Sequence, residues 1–503
     1  MMKNIKTFFE RAMHYKIIVS NKLDKTKEML ELADNLWEKA TREDFKFKSC
    51  IKDGVINPDR ISEASIKEVD HLGEIQERPV VDLVQQGGGM FGIALLGYTY
   101  IMEKAGIRFH SYGGTSAGAI NAAFLAAIPN EVYQKPSIFF ENGKRQTTKS
   151  ELLTHIIANM DFKSFMDRKG VVGYFQELLF KNIKSWKLWF PLLLLSLMFL
   201  AGLYFSLSLV FNIENGLTGM EIRFFDFIIG TLNVFAFLLF CYFIILKILG
   251  PNYGINTGNI YYRWADTLMH LLGVDTTEDL HRRLKQTKII SDKNLSNPRL
   301  VLITANLTHN KVVKLPEEAS FYWANPMNLR PAAYLRATMS LPFIFHVLVP
   351  KGEHYDKIEE TNRIITMAKF VDGGMLSNFP IREFHRTDGE PPSFPTFGVL
   401  LSSRESVENS RNKQTFWRYV ASYLKTFRNF YDNDFLLRNE ETKYLVELVN
   451  TTEFNWLDFW MEDEEKKGLF EEGAKAAIAQ LKKFNWNDYK QERLNEEQKI
   501  QFK

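Results

Sequence analysis

Ser116 stands in Gly114-Thr115-Ser116-Ala117-Gly118, between an apolar stretch at 107–112 and a small-residue run at 117–127. That spacing puts a serine on a sharp strand-to-helix turn, where flanking glycines let the backbone bend and leave the hydroxyl exposed above a helix N-terminus. Such a hydroxyl can attack an ester carbonyl if a base takes its proton and donors stabilise the oxyanion that develops. Gly87, Gly88 and Gly89, one strand-helix unit earlier, suit the second role. Residues without side chains let backbone N–H groups turn toward a substrate oxygen, and the helix they open favours negative charge. Asp372 ends another short apolar strand and is followed by Gly373 and Gly374. A carboxylate held there is the candidate base, contacting the serine directly. One GxSxG arises often by chance; three glycine-framed sites in this order, each after an apolar strand, do not.

Competing chemistries fit less well. Gly87 to Gly92 also matches GxGxxG, but a dinucleotide site needs an acidic residue closing the next strand, and that strand runs into Ser116 instead. No cofactor is expected. A Ser-Asp-His triad would have to use His385, the only histidine after Asp372, which lies in a polar, helix-like stretch. Asp372 taken alone also reads as a turn residue of an Asp-Gly turn. His110 and His346 read as structural, and no His/Asp/Glu spacing suggests a metal.

The elements that must position these residues follow from periodicity. Strands are expected at 80–84, 107–112, 299–305, 370–371 and 396–401, and helices at 91–105, 117–127 and 261–272. This alternation is that of an α/β fold with a parallel sheet. It divides into 79–180, with the glycine loop and elbow, and 255–401, with the aspartate. Residues 1–75 read as charged helices, including 24–42, and carry no visible chemistry. Residues 402–503 form a charged helical region whose segment 468–484 has amphipathic spacing and is expected to pack on its own domain.

Between the two α/β parts lies 188–246. Its runs 188–211 and 227–246 carry no charge, and each is long enough to cross a bilayer core of about 20 residues. Trp189, Tyr204 and Tyr242 sit near the ends, where headgroups would lie. Lys181, Lys184, Lys187 and Lys247 flank the pair, whereas the intervening loop holds Glu214, Glu221 and Asp226 against Arg223. The positive-inside rule then gives a two-span protein with its catalytic domain and both termini in the cytoplasm. A buried helical hairpin or a re-entrant pair is the alternative, kept open by Pro191 and Asn233.

At 503 residues, 46% of them hydrophobic, the chain can bury a large core. A net charge of +3 with interspersed signs disfavours nucleic acid as a partner. Cys50 and Cys241 are the only cysteines, which excludes a disulfide framework and fits a reducing compartment. The first 30 residues lack the continuous apolar core of a signal peptide.

The segments QGGGMFG, GTSAG and VDGGMLSNFP together resemble the signatures of the patatin-like phospholipase family, and 336–345 (RATMSLPFIF) resembles the segment that precedes its aspartate strand. The resemblance implies a three-layer α/β/α fold, here interrupted by a transmembrane hairpin. It also implies a Ser-Asp dyad hydrolase acting on acyl esters of membrane phospholipids or related lipids, without a metal. Ser116 is then the nucleophile, Asp372 the base, and Gly87 to Gly89 the oxyanion hole. Gly92, Gly114, Gly118, Gly373 and Gly374 complete the motifs, and Asn378 and Pro380 shape the turn after Asp372. Two positions depart from the family: Phe91 stands where Arg or Lys is usual, and Gln86 replaces the common Asp. An inactive membrane scaffold and a lipid acyltransferase are the alternative readings.

Overall fold

The computed structural model describes residues 4–140, 145–167, 252–286, 289–290, 297–350, 368–386, 392–402 and 441–501, with scattered positions in 173–242 and 432–439. The chain opens with helices α1 (Ile5–His14) and α2 (Leu23–Glu43), then strands β1 (Ser65–Val69) and β2 (Ile75–Gln85). Next come α3 (Gly92–Lys104), β3 (Arg108–Thr115), α4 (Ala117–Ala127) and α5 (Lys149–Asn159). Beyond 252 follow α6 (Asn259–Leu271), β4 (Leu300–Asn306), β5 (Lys311–Leu315), α7 (Ala332–Thr338), β6 (Phe370–Asp372), β7 (Thr396–Ser402), β8 (Val446–Asn450) and α8 (Asp463–Lys483).

Strands β4, β3, β2, β7 and β8 run parallel in that order. β1 adds to β2, and β5 and β6 add to β4, all antiparallel. The architecture is therefore mixed α/β around a parallel-rich sheet, as the alternation of elements predicts. β2 shows why it sits in the middle: Val80, Val81, Leu83 and Val84 are all fully buried, the run of apolar residues that a strand covered on both faces requires. Val81 and Leu83 join the main core, while Val84 packs with Phe379 and Ile381 on the other face.

Both ends of the chain fold onto this domain. α8 crosses α3 with the backbones in contact: a Cβ on Gly97 would lie 1.9 Å from the Phe470 carbonyl oxygen, and one on Gly473 1.7 Å from that of Ala94. Phe8, Phe9, Met29, Leu30 and Trp37 of the N-terminal helices enter the same core. Polar contacts fix the seam. Asp34 of α2 accepts from Tyr100 and Lys104 of α3, at 2.7 and 2.8 Å, and also pairs with Arg145. On α5, His155 meets Thr26 Oγ1 at 2.7 Å and Asn21 Oδ1 at 2.9 Å.

Most of the apolar segment 188–246 falls outside the described residues. Among the described residues, no helix is long and apolar enough to cross a membrane. The described positions between 196 and 242 are helical. Phe199 stacks on Phe237 with ring centroids 4.0 Å apart, whereas Leu197, Leu200, Leu232, Phe235, Leu238, Leu239 and Tyr242 are exposed.

Candidate active site

β3 runs up to Thr115, so Ser116 is the first residue off the sheet and immediately precedes α4. It adopts φ 53° and ψ −121°. A side chain in this region costs on the order of 1–3 kcal/mol and persists only where the surroundings over-determine it. They do so here through close packing. A Cβ on Gly114 would sit 2.4 Å from the Gly118 carbonyl carbon, and one on Gly118 only 2.2 Å from the Gln85 carbonyl oxygen. The glycines of the pentapeptide thus let strand, turn and helix approach one another closely enough to hold the bend.

Asp372 reaches the same place from the opposite direction. β5 covers one edge of β4 from Leu302 to Asn306. The other edge is shared: β3 occupies it as far as the pair Thr115 and Ile303, and antiparallel β6 takes over at the pair Asp372 and Thr304. The two strands therefore abut head to head, with Ser116 leaving one end and Asp372 forming the other. Both side chains are buried, each only 3% exposed.

The segment after α7 threads this junction. Thr338 Oγ1 donates to the Ile303 carbonyl at 2.6 Å and accepts the Ser116 N–H at 2.8 Å. The Ser340 carbonyl accepts the Asp372 N–H at 2.9 Å. Between them, Met339 Sδ accepts from Ser116 Oγ at 3.3 Å, so the serine hydroxyl is turned toward the thioether. Arg336 holds the segment from behind, donating to Ser340 Oγ and to the carbonyls of Thr257 and His346 at 2.6 to 2.8 Å. Burial lowers its pKa to about 10, which leaves it cationic at neutral pH. The Asp372 carboxylate accepts the Gly374 N–H at 2.7 Å, as the Asp-Gly turn reading expects.

The glycine loop lies directly against the serine: a Cβ on Gly87 would be 3.1 Å from that of Ser116. Its donors divide. The Gly87 N–H goes to the Asn378 carbonyl at 3.0 Å and the Met90 N–H to the Trp456 carbonyl at 3.0 Å. Those of Gly88 and Gly89 take no partner among the described residues. Gly89 has φ +56°, and a Cβ there would lie 2.4 Å from the Trp456 carbonyl oxygen. The two departures in sequence have local roles. Gln86 Oε1 accepts the Leu401 N–H at 2.6 Å, tying the loop to β7, and Phe91 packs against the core beneath it.

Asn378 and Pro380 follow Asp372 as expected, and Asn378 grips the glycine loop from both sides, its Nδ2 donating to the Gly87 carbonyl at 2.9 Å. Asp432, buried, accepts from Ser377 Oγ and from the N–H groups of Asn378 and Phe379, at 2.6 to 2.8 Å. Burial pushes its pKa up to about 6 against the opposing pull of those donors. His385 is engaged elsewhere, 3.2 Å from Arg493 Nη1, with its pKa pushed down to about 4 by burial and by that guanidinium. His110 stacks on Phe394.

A buried serine hydroxyl, a carboxylate paired one position along β4 from Thr115, and two N–H donors without a partner among the described residues are the groups that acyl transfer requires. The family model for patatin-like phospholipases matches residues 83–385, which contain all three elements. The chain belongs to the patatin-like phospholipase family. It is 22% identical over 406 residues to the uncharacterized protein YqhO of Bacillus subtilis (strain 168), covering 81% of this chain and 99% of that one. Among solved structures it is similar to VipD from Legionella pneumophila, with a TM-score of 0.32 and 12% identity over 84% of this chain and 70% of that chain.

Within this patatin-like site, Thr338, Met339, Trp456 and Asp432 escape a reading by motif. The resemblance of 336–345 marks the first two only as part of a segment. Nothing local marks Trp456 or Asp432, whose partners lie hundreds or tens of residues away in sequence.

Proposed function

We propose that this protein is a serine lipid acyl hydrolase that cleaves acyl esters of phospholipids or related lipids through a Ser116-Asp372 dyad. The observation that carries this reading is the head-to-head junction on β4, which brings Thr115 and Asp372 to adjacent positions beneath a loop with two unspent donors. Ser116 Oγ rotates from Met339 toward Asp372, gives up its proton to the carboxylate and attacks the ester carbonyl. The N–H groups of Gly88 and Gly89 receive the oxyanion, each such donor contributing about 2.7–4 kcal/mol of barrier lowering. Collapse of the intermediate expels the alcohol, which takes the proton back from Asp372, and water then releases the fatty acid from the acyl-enzyme by the same two groups. Backbone donors perform the electrostatic work, so Phe91 in place of a cation is compatible with turnover.

The same reading anchors the enzyme in a bilayer through 188–246, with the catalytic domain and both termini on the cytoplasmic side. Two long uncharged runs and the outward-facing leucines and aromatics at their described positions support it. The anchor would hold the cleft at the surface from which acyl chains are drawn.

The test is fatty acid release from mixed phospholipid vesicles by detergent-purified wild type and Ser116→Ala, side by side. The substitution is expected to lower release by roughly 10⁴-fold or more while folding is unchanged. Equal release by the two proteins would remove Ser116 from the mechanism.

A further inference from the structure

Asp432 stands outside every motif, yet its carboxylate collects three donors from three consecutive residues, Ser377, Asn378 and Phe379. Those residues begin five positions after the catalytic-site carboxylate, and the middle one is bonded to the glycine loop in both directions, through Asn378 Nδ2 to the Gly87 carbonyl and the Gly87 N–H to the Asn378 carbonyl. We propose that Asp432 is a positioning residue: by fixing the backbone at 377–379 it sets, through Asn378, where the N–H groups of Gly88 and Gly89 point. This deepens the acyl-hydrolase reading and rests on it for the identity of the oxyanion donors.

The geometry explains why an acid is kept in a site where burial disfavours its charge. Two backbone N–H groups converge on Oδ2 and a hydroxyl approaches Oδ1. A planar group with an acceptor facing the two N–H groups and a second polar atom facing the hydroxyl meets that set, since the Ser377 hydroxyl can donate or accept. Other restraints hold the glycine loop further along, where Met90 N–H donates to the Trp456 carbonyl and a Cβ on Gly88 would lie 2.6 Å from Leu401 Cδ1. Loss of the clamp therefore frees one side of the loop without dismantling the sheet below it. An amide at position 432 can keep its oxygen on the two N–H groups and donate to Ser377 Oγ, so Asp432→Asn preserves the clamp and Asp432→Ala removes it.

The experiment compares full-length wild type, Asp432→Ala and Asp432→Asn in detergent by amide hydrogen exchange and by hydrolysis of phospholipid vesicles. Asp432→Ala is expected to speed exchange at 86–91 by about tenfold, with the strands unaffected. It is also expected to lower kcat on the order of a hundredfold while KM stays within a few-fold, the pattern of misaimed donors. Asp432→Asn is expected to restore both. Unchanged exchange at 86–91 in Asp432→Ala overturns the proposal, as does faster exchange spread evenly over the whole domain, which would mean simple loss of stability. A wild type that hydrolyses nothing would sink the hydrolase reading instead, and the exchange comparison would still decide the clamp.

Discussion

Helix α4 and the described helical positions between 232 and 242 have nearly the same character, mostly apolar and without charge, and opposite surroundings. In α4 every residue but Ile120 is buried. At 232–242, Leu232, Phe235, Leu238, Leu239 and Tyr242 are each more than half exposed. A helix hydrophobic all round needs cover on every side. α4 receives it from the sheet, from α3 and from Trp264, whose ring meets Phe124 edge-on at 5.4 Å. The later segment is met at Phe237 by Phe199, and its outward side chains each forgo roughly 1.5–3 kcal/mol of burial if water is what they face. The difference teaches that an apolar stretch reports a need for cover and leaves its source open: protein in one case, and in our proposal lipid in the other.

The contrast breaks most sharply under charge. Phe124→Asp puts an unpaired carboxylate into a fully covered site and is expected to cost more than about 4 kcal/mol, abolishing cooperative unfolding in a thermal melt. Leu238→Lys is expected to leave that melt unchanged and to weaken retention on vesicles by about 2.5–3.5 kcal/mol, read by flotation. Retention equal to wild type would remove the bilayer as the missing cover.

A milder perturbation tests the cover supplied by the N-terminal helices. His155 on α5 is wholly buried, its pKa pushed down to about 4 by desolvation, and as a neutral ring it joins Thr26 and Asn21. Because its folded value lies below the unfolded 6.5, its contribution is fully present above pH 6.5 and is lost as pH falls toward 4, up to roughly 3 kcal/mol. Glu151 on the same helix is pushed up to about 7 by burial and has the opposite slope, costing stability as pH rises from 4.5 to 7. Urea unfolding of wild type and His155→Gln across pH 4 to 6.5 separates the two. The variant is expected to lose less stability on acidification, and parallel curves would show that His155 does not titrate as its burial demands.

Much of the site was legible because its parts are local. Helix 117–127 was read to the residue, and the strands ending at Thr115, Asn306 and Asp372 were read to within a few positions, since strand, glycine turn and helix each leave a signal within a short window. The pairing of Ser116 with Asp372 was expected from the glycine-framed carboxylate and from the family resemblance, but not the route to it, because β3 and β6 meet along β4 and no periodicity records a shared edge. Thr338 and Ser340 brace the two residues through one hydroxyl and one carbonyl, contacts any small polar residue could announce. Asp432 and Trp456 lie in segments whose own pattern predicts only polar or amphipathic structure. The N-terminal region read only as charged helices, and the partners that bury Ile5, Phe8, Phe9 and Ala12 come from far along the chain, so their place in the core could not be foreseen.

The junction on β4 also sets an order of events during synthesis. A ribosome that has delivered the glycine loop and the elbow has made a serine with neither its carboxylate nor the strand it is paired against. Residues 300–306, then 338–340 and 372, and at last the Asp432 brace must emerge before Ser116, Asp372 and the glycine loop share one pocket. On the mechanism we propose, an ester-cleaving centre assembled this late is inert on the nascent chain and becomes competent only after residue 432 has been made and folded into place.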